Sequence, residues 1–186
     1  MYREQAPDEE EPAVRWLPFQ LNPDIPAEGI SRAAYVERKF GPGGARNYDR
    51  VGSVGRQVGI DFAFDAIKVQ PNTVNAHRLM MYGARNGRED EVAESLFRAY
   101  FQEGAVLVDK AALAAIGERA GLARDPLAAY LESDEDRAAV LQADLEARQS
   151  GVSGVPFFIF NRRTAVSGAH EPETLLQAMI ESRKDE

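Results

Sequence analysis

Apolar and polar positions change period along the chain, and the changes predict its elements. VRWLPFQL (Val14–Leu21) is dense in aromatic and aliphatic residues and predicts a strand, which Pro18 confines to a sheet edge or an irregularity. Residues 22–29, with Pro23 and Pro26, read as a loop. Ser31 is the expected N-cap of a helix over Arg32–Phe40, which the glycines of 41–44 end. A further helix is expected over 45–58, weakened by Gly52 and Gly55 at ~1 kcal/mol each against Ala.

From residue 70 the helical period dominates. Asn72 or Thr73 caps a helix running to about Arg85, with Ala76, Leu79, Met80 and Gly83 on one face. The segment 90–103 repeats the pattern with Val92, Leu96, Phe97, Tyr100 and Phe101. Residues 109–120 place Leu113, Ile116 and Ala120 inward before Gly121. Asp125-Pro126 opens a helix to Leu131, and 134–149 follows with Leu141 and Leu145 on one side. The middle of the chain is thus a helical block of five or six elements.

The last forty or so residues differ. GVSGVP (151–156) is a glycine-punctuated loop, Phe157–Phe160 a short strand of buried type, and Asn161–Arg163 a turn into Thr164–Ser167, its hairpin partner. Pro172 opens a final helix with Leu175, Leu176, Met179 and Ile180 as its apolar face. Glu171 and Glu173 stand at its positive end, Arg183 and Lys184 at its negative end. Strand, helical block, hairpin and helix together predict an α/β fold.

Composition narrows the chemistry. The 186 residues contain no cysteine, which excludes disulfides, thiolate catalysis, Cys-zinc sites and iron–sulfur clusters among them. His77 and His170 are the only histidines, so a three-histidine metal site is excluded and no metal site is expected. The net charge of −8 argues against nucleic acid or an anionic membrane as partner. The opening MYREQAPDEEEP has neither the basic nor the apolar region of a secretory signal, and the longest apolar run, Val155–Phe160, is far below the ~20 residues of a span. A soluble cytoplasmic chain is the expectation. The 41–44 glycines lack a GK[ST] ending and a preceding strand, so they make no phosphate loop of the P-loop type.

Five collinear segments carry a family resemblance: VRWLPFQLNPDIP (14–26), PNTVNAHRL (71–79), LFRAYFQEG (96–104), GVSGVPFF (151–158) and SGAHEPETL (167–175). The chain resembles thioredoxin-fold oxidoreductases of the DsbA family. The wider chain looks like the FrnE-type branch, related to 2-hydroxychromene-2-carboxylate isomerase and kappa-class glutathione transferase. The resemblance implies a thioredoxin-like sheet, here residues 1–30 and 151–186, interrupted by a helical domain over 31–150. It also implies a first strand and a Cys-x-x-Cys motif at the start of the first helix. This sequence has neither, and its opening residues look like the end of that helix. The expectation is therefore an incomplete thioredoxin-like domain in which Met1 is an internal methionine. The central sheet position is left open, or filled by a shifted Val14–Leu21 or a second protomer, so that a homodimer is one expectation.

The implied activity is thiol–disulfide exchange through a mixed disulfide on a protein or small-molecule partner, which the chain as given has no thiolate to perform. Two other functions stay open. One is a glutathione-dependent isomerase or transferase, with glutathione as co-substrate and no other cofactor; the other is a non-redox peptide-binding module. By resemblance, Pro156 is the cis-proline and the backbone of Val155 pairs with an extended substrate segment; the plainer reading is a turn that starts a strand. Asn72 reads as a helix cap or a ligand contact. His77, flanked by Val74 and Met81, reads as a hydrogen-bonded helix residue or a ligand contact. His170 reads as an exposed cap or a partner for a polar ligand group.

Overall fold

The computed structural model describes residues 12–183. They fall into two compact units, one made of 12–21 with 143–183 and the other of Asn22–Gln142.

The Asn22–Gln142 unit is helical. A two-residue strand β1 (Ile30–Ser31) pairs antiparallel with β2 (Val69–Gln70), matching Ile30 to Gln70. Helix α1 (Arg32–Phe40) starts as expected, the Ser31 hydroxyl accepting from the Ala34 amide at 3.5 Å, and stops where Gly41 takes φ 76°. α2 (Asn47–Gln57) follows a short 3-10 turn. After a second such turn at Phe64–Ala66 come α3 (Val74–Arg85), α4 (Glu89–Phe101), α5 (Lys110–Arg119) and α6 (Arg124–Glu132). The acidic first turn of α4 (Glu89, Asp90, Glu91) and the Asp109 side chain on the Ala111 amide at 2.9 Å satisfy helix starts in the ordinary way. α6 begins earlier than Asp125-Pro126 suggested: its N-cap is Ala123, and Asp125 and Pro126 lie inside the first turn, where a proline lacks no needed bond.

The faces read from the 3.6-residue period meet in one core. Leu79, Val92, Leu113 and Leu127 are wholly buried, with Leu96, Tyr100, Ile116 and Leu131 around them. Phe97 departs from its expected inward place and is 49% exposed, because the smaller Ala93 and Ala99 complete the buried stripe of α4. At Gly117, a Cβ would fall 2.3 Å from a methyl of Leu127, so the close approach of α5 to α6 needs the missing side chain.

Arg78 is the unexpected member of this core. At 2% exposure it donates to the carbonyls of Tyr130 and Ser133 (2.7 and 2.8 Å), Leu131 (3.3 Å) and Glu135 (2.7 Å), and to Asn75 Oδ1 (2.9 Å). A cation from α3 thus caps carbonyls at and just past the end of α6, the place where a helix dipole favours positive charge. The Tyr130 hydroxyl bridges between Asp136 (2.7 Å) and the Arg78 carbonyl (3.0 Å), and Arg85 pairs with Asp136 at 2.6 Å. Burial, with Asp136 beside it, pushes the Tyr130 phenol well above its usual range. Arg85 is held above its ordinary value: burial opposes this, and Asp136, Tyr130 and Glu135 together outweigh it.

α7 (Arg137–Gln149) runs through the second boundary. Its buried positions are Val140 and Asp144, whereas Leu141 and Leu145 are 44% and 47% exposed. The side chosen from the leucines is therefore the outer one. In the other unit, β3 (Phe157–Phe160) and β4 (Thr164–Ser167) form the expected antiparallel hairpin, with Asn161 and Arg162 both at positive φ in its turn. β3 is not the buried strand anticipated: Ile159 is 51% exposed, since β4 is its only sheet neighbour among the described residues. α8 (Pro172–Glu181) opens on Pro172 and buries Leu176, with Leu175, Met179 and Ile180 half-buried. Lys184 and the acidic opening residues lie outside the described residues.

Val14–Leu21 does not form the strand expected of it. No described strand lies beside it, and Pro18 has no amide to donate. Side chains of α7 take the place of a ladder. Asp144 accepts from the Gln20 amide at 2.7 Å, Arg148 donates to the Gln20 carbonyl, and the Arg148 guanidinium lies 4.5 Å from the centre of the Phe19 ring.

Candidate substrate-binding site

Three of the five candidate residues belong to the unit that contains the hairpin, and there they gather at one end of it. The Val155–Pro156 peptide bond is cis. The Pro156 carbonyl accepts from the Gly168 amide at 2.9 Å, which carries the β3–β4 pairing one step past Phe157 and Ser167. Val155 is 55% exposed, and its backbone makes no hydrogen bond to another described residue. A free amide and carbonyl next to a strand are what an extended chain needs to add itself to a sheet edge. His170 is exposed, one residue before the Glu171 N-cap of α8, and its Nε2 donates to the Ser167 carbonyl at 3.0 Å. Ser167 is the residue paired with Phe157, so His170 is tied to the hairpin end that bears Val155 and Pro156.

Asn72 and His77 belong to the Asn22–Gln142 unit. The Asn72 amide donates to the Ile25 carbonyl at 2.7 Å, and its Oδ1 accepts from the Val74 amide at 3.0 Å. It therefore caps the start of α3 and ties that start to the 22–29 loop, while Thr73, the N-cap by position, contributes no side-chain bond. His77 is half-buried in α3, with its backbone amide donating to the Thr73 carbonyl at 2.9 Å.

The sequence reading missed the Asp144–Arg148 pair that holds Gln20. Its signal was an acid four residues ahead of a base on a helix, 3.0 Å apart in the structure. Among the described residues, no group of three or more His, Asp or Glu side chains is arranged to hold a metal ion. No described helix is long and apolar enough to cross a membrane.

The model of the DsbA-like thioredoxin domain matches residues 2–180. This chain belongs to the DsbA-like thioredoxin-domain family. Among solved structures it is similar to a probable DsbA oxidoreductase from Streptomyces coelicolor, with a TM-score of 0.78 and 24% identity, covering 88% of this chain and 72% of that one. Identity at that level speaks for the fold, which is the thioredoxin-like DsbA fold with a large helical insertion and small sheets. No curated relative matches the sequence. None of its 186 residues is a cysteine.

Proposed function

We propose that this DsbA-family chain supplies the substrate-holding half of a FrnE-type thiol–disulfide oxidoreductase, with the sulfur nucleophile provided from outside these residues. The observation that carries the reading is the exposed Val155 at the end of the hairpin, its backbone without a hydrogen bond to another described residue and so available to pair with an extended segment. Holding a substrate strand there fixes its position and register through main-chain bonds, independent of its side chains. A disulfide in that segment is then presented to an attacking thiolate, which takes one sulfur into a mixed disulfide and releases the other as a thiolate. The Asp144–Arg148–Gln20 contacts serve the same unit by fixing the 12–21 segment without a strand partner.

The test is an NMR titration of the isotope-labelled chain with an extended peptide containing an alkylated cysteine. The Val155 amide is expected to shift most and to become protected from exchange, with smaller changes at Gly154 and Gly168. Unchanged resonances throughout 151–170 would overturn the reading. Reduction of insulin by a form carrying a Cys-x-x-Cys segment ahead of residue 1, and none by the chain itself, supports the oxidoreductase over a plain peptide-binding module. Glutathione binding that shifts Asn72 and His77, without reductase activity in either form, favours the glutathione-dependent isomerase or transferase instead.

A further inference from the structure

We propose that a cleft inside the Asn22–Gln142 unit binds a small organic anion, a single carboxylate or phosphate monoester carried on an aromatic body. The cleft is formed by α1, the 41–44 turn, α2 and the 62–68 segment, and holds about 960 Å³, the size of a small-molecule site. Arg32, Arg46, Arg56 and Lys68 line it. So do the rings of Tyr48, Phe62 and Phe64, packed on one another at 4.8 and 4.9 Å between centres.

The contacts described for these cations are not ion pairs. Arg56 donates to the Ser53 hydroxyl at 3.1 Å and Lys68 to the Asp65 backbone carbonyl at 2.7 Å. Arg32 donates to the Gln70 side chain and lies 4.8 Å from the Tyr48 ring centre. Glu37, Asp49 and Asp65 also line the cleft, yet no described carboxylate forms an ion pair with any of the four. Elsewhere in the same unit Arg85, Arg88, Lys110, Arg119 and Arg124 each meet a carboxylate at 2.6 to 3.2 Å. In a chain of net charge −8, a cleft with four bases against three acids is a local reversal of sign. The three acids limit the ligand to few charges, and guanidinium groups favour carboxylate or phosphate oxygens.

The glycines of α2 supply a second, independent observation. A Cβ at Gly55 would lie 2.5 Å from the Phe62 ring, so packing requires glycine there. A Cβ at Gly52 would meet only the Arg56 guanidinium, at an ordinary 3.6 Å. Packing gives no reason for a helix interior to keep glycine at 52, where alanine is the better helix former. Gly52 lines the cleft, and a bare backbone there lets a ligand approach the helix closely.

The test is an NMR titration of the full chain with phenyl phosphate and with 1-naphthoate, against inorganic phosphate and phenol. Saturable shifts at Gly52, Arg56 and Phe64 are expected with both aromatic anions, and the tighter of the two identifies the preferred oxyanion. Phosphate and phenol alone bind at least tenfold more weakly. The Arg46→Gln/Arg56→Gln double variant is expected to lose at least tenfold in affinity for the aromatic anions, and Gly52→Ala to lose affinity while its Tm rises. Absence of saturable shifts in the cleft, or an unchanged affinity in the double variant, would overturn the proposal. The outcome is separate from that at Val155, because none of these residues belongs to the hairpin unit.

Discussion

The two units differ in how they hold themselves together. In Asn22–Gln142 the core is continuous, with Leu79, Val92, Leu113 and Leu127 wholly buried and Arg78 capping the end of α6 from inside. In the unit of 12–21 and 143–183 the buried side chains are few, chiefly Gln20, Asp144, Val152, Leu176, Ala178 and Ser182. Several of its apolar residues lie outside instead: Val14, Leu17, Leu21, Val155 and Ile159 are each at least half exposed, while Phe157, Phe158 and Phe160 are half-buried. The contrast teaches where each kind of force acts. Apolar burial stabilises the helical unit, while side-chain bonds to the Gln20 and Met179 backbone, the Asn161 to Ser182 side-chain bond and a hairpin organise the other. Exposed apolar residues beside a hairpin edge are also the kind of surface able to accept another extended chain.

The contrast can be tested by substitution, and the largest effect belongs to the helical core. Leu79→Ala should cost about 2–5 kcal/mol in urea unfolding, the transfer loss plus the cavity it leaves. Arg78→Ala should cost about 3 kcal/mol by the same measurement, because it strips the guanidinium donors from the carbonyls of Leu131, Ser133 and Glu135. A cost below 1 kcal/mol for both would deny that stability is concentrated there.

A middle-sized effect should come from pH. Burial pushes the Tyr100 phenol up to about 12 from 10.0, with nearby Arg32 opposing the shift and Tyr48 and Tyr35 reinforcing it. The folded state then keeps a proton that the unfolded chain gives up first, so stability is intact below pH 10 and falls as pH rises through about 12. Tyr130, shifted the same way, adds to the slope. Urea midpoints measured across this range should decline for the native chain and decline less for Tyr100→Phe; equal slopes would sink the assignment.

The smallest effect is expected in the hairpin. Ile159→Ala, at a half-exposed position, should change stability by no more than about 0.5 kcal/mol. A larger loss would mean that β3 packs against something more than the described residues provide.

The helical unit was legible because its rules are local. Ser31 and Gly41 announced their helix ends, and the periodic apolar positions of α3 and α5 went inward together. Residues that depend on distant neighbours were not legible. Nothing near Arg78 in sequence shows that carbonyls more than fifty positions away will surround it. Leu141 and Leu145 had the right spacing for a buried face, but Asp144 is drawn inward by Gln20, which fixes the orientation of α7 the other way. Val14–Leu21 had strand composition and no strand beside it.

The sequence by itself determined the helices, the hairpin, the family resemblance and the absence of a thiol, because propensity, capping, motif order and composition are properties of short stretches or of counts. Only the tertiary structure decided that Val155 lies exposed, that Asn72 spends its side chain on the backbone, and that four unpaired cations share one cleft. Those outcomes depend on which groups meet after the chain has folded back on itself, and that is set by the joint packing of all the elements.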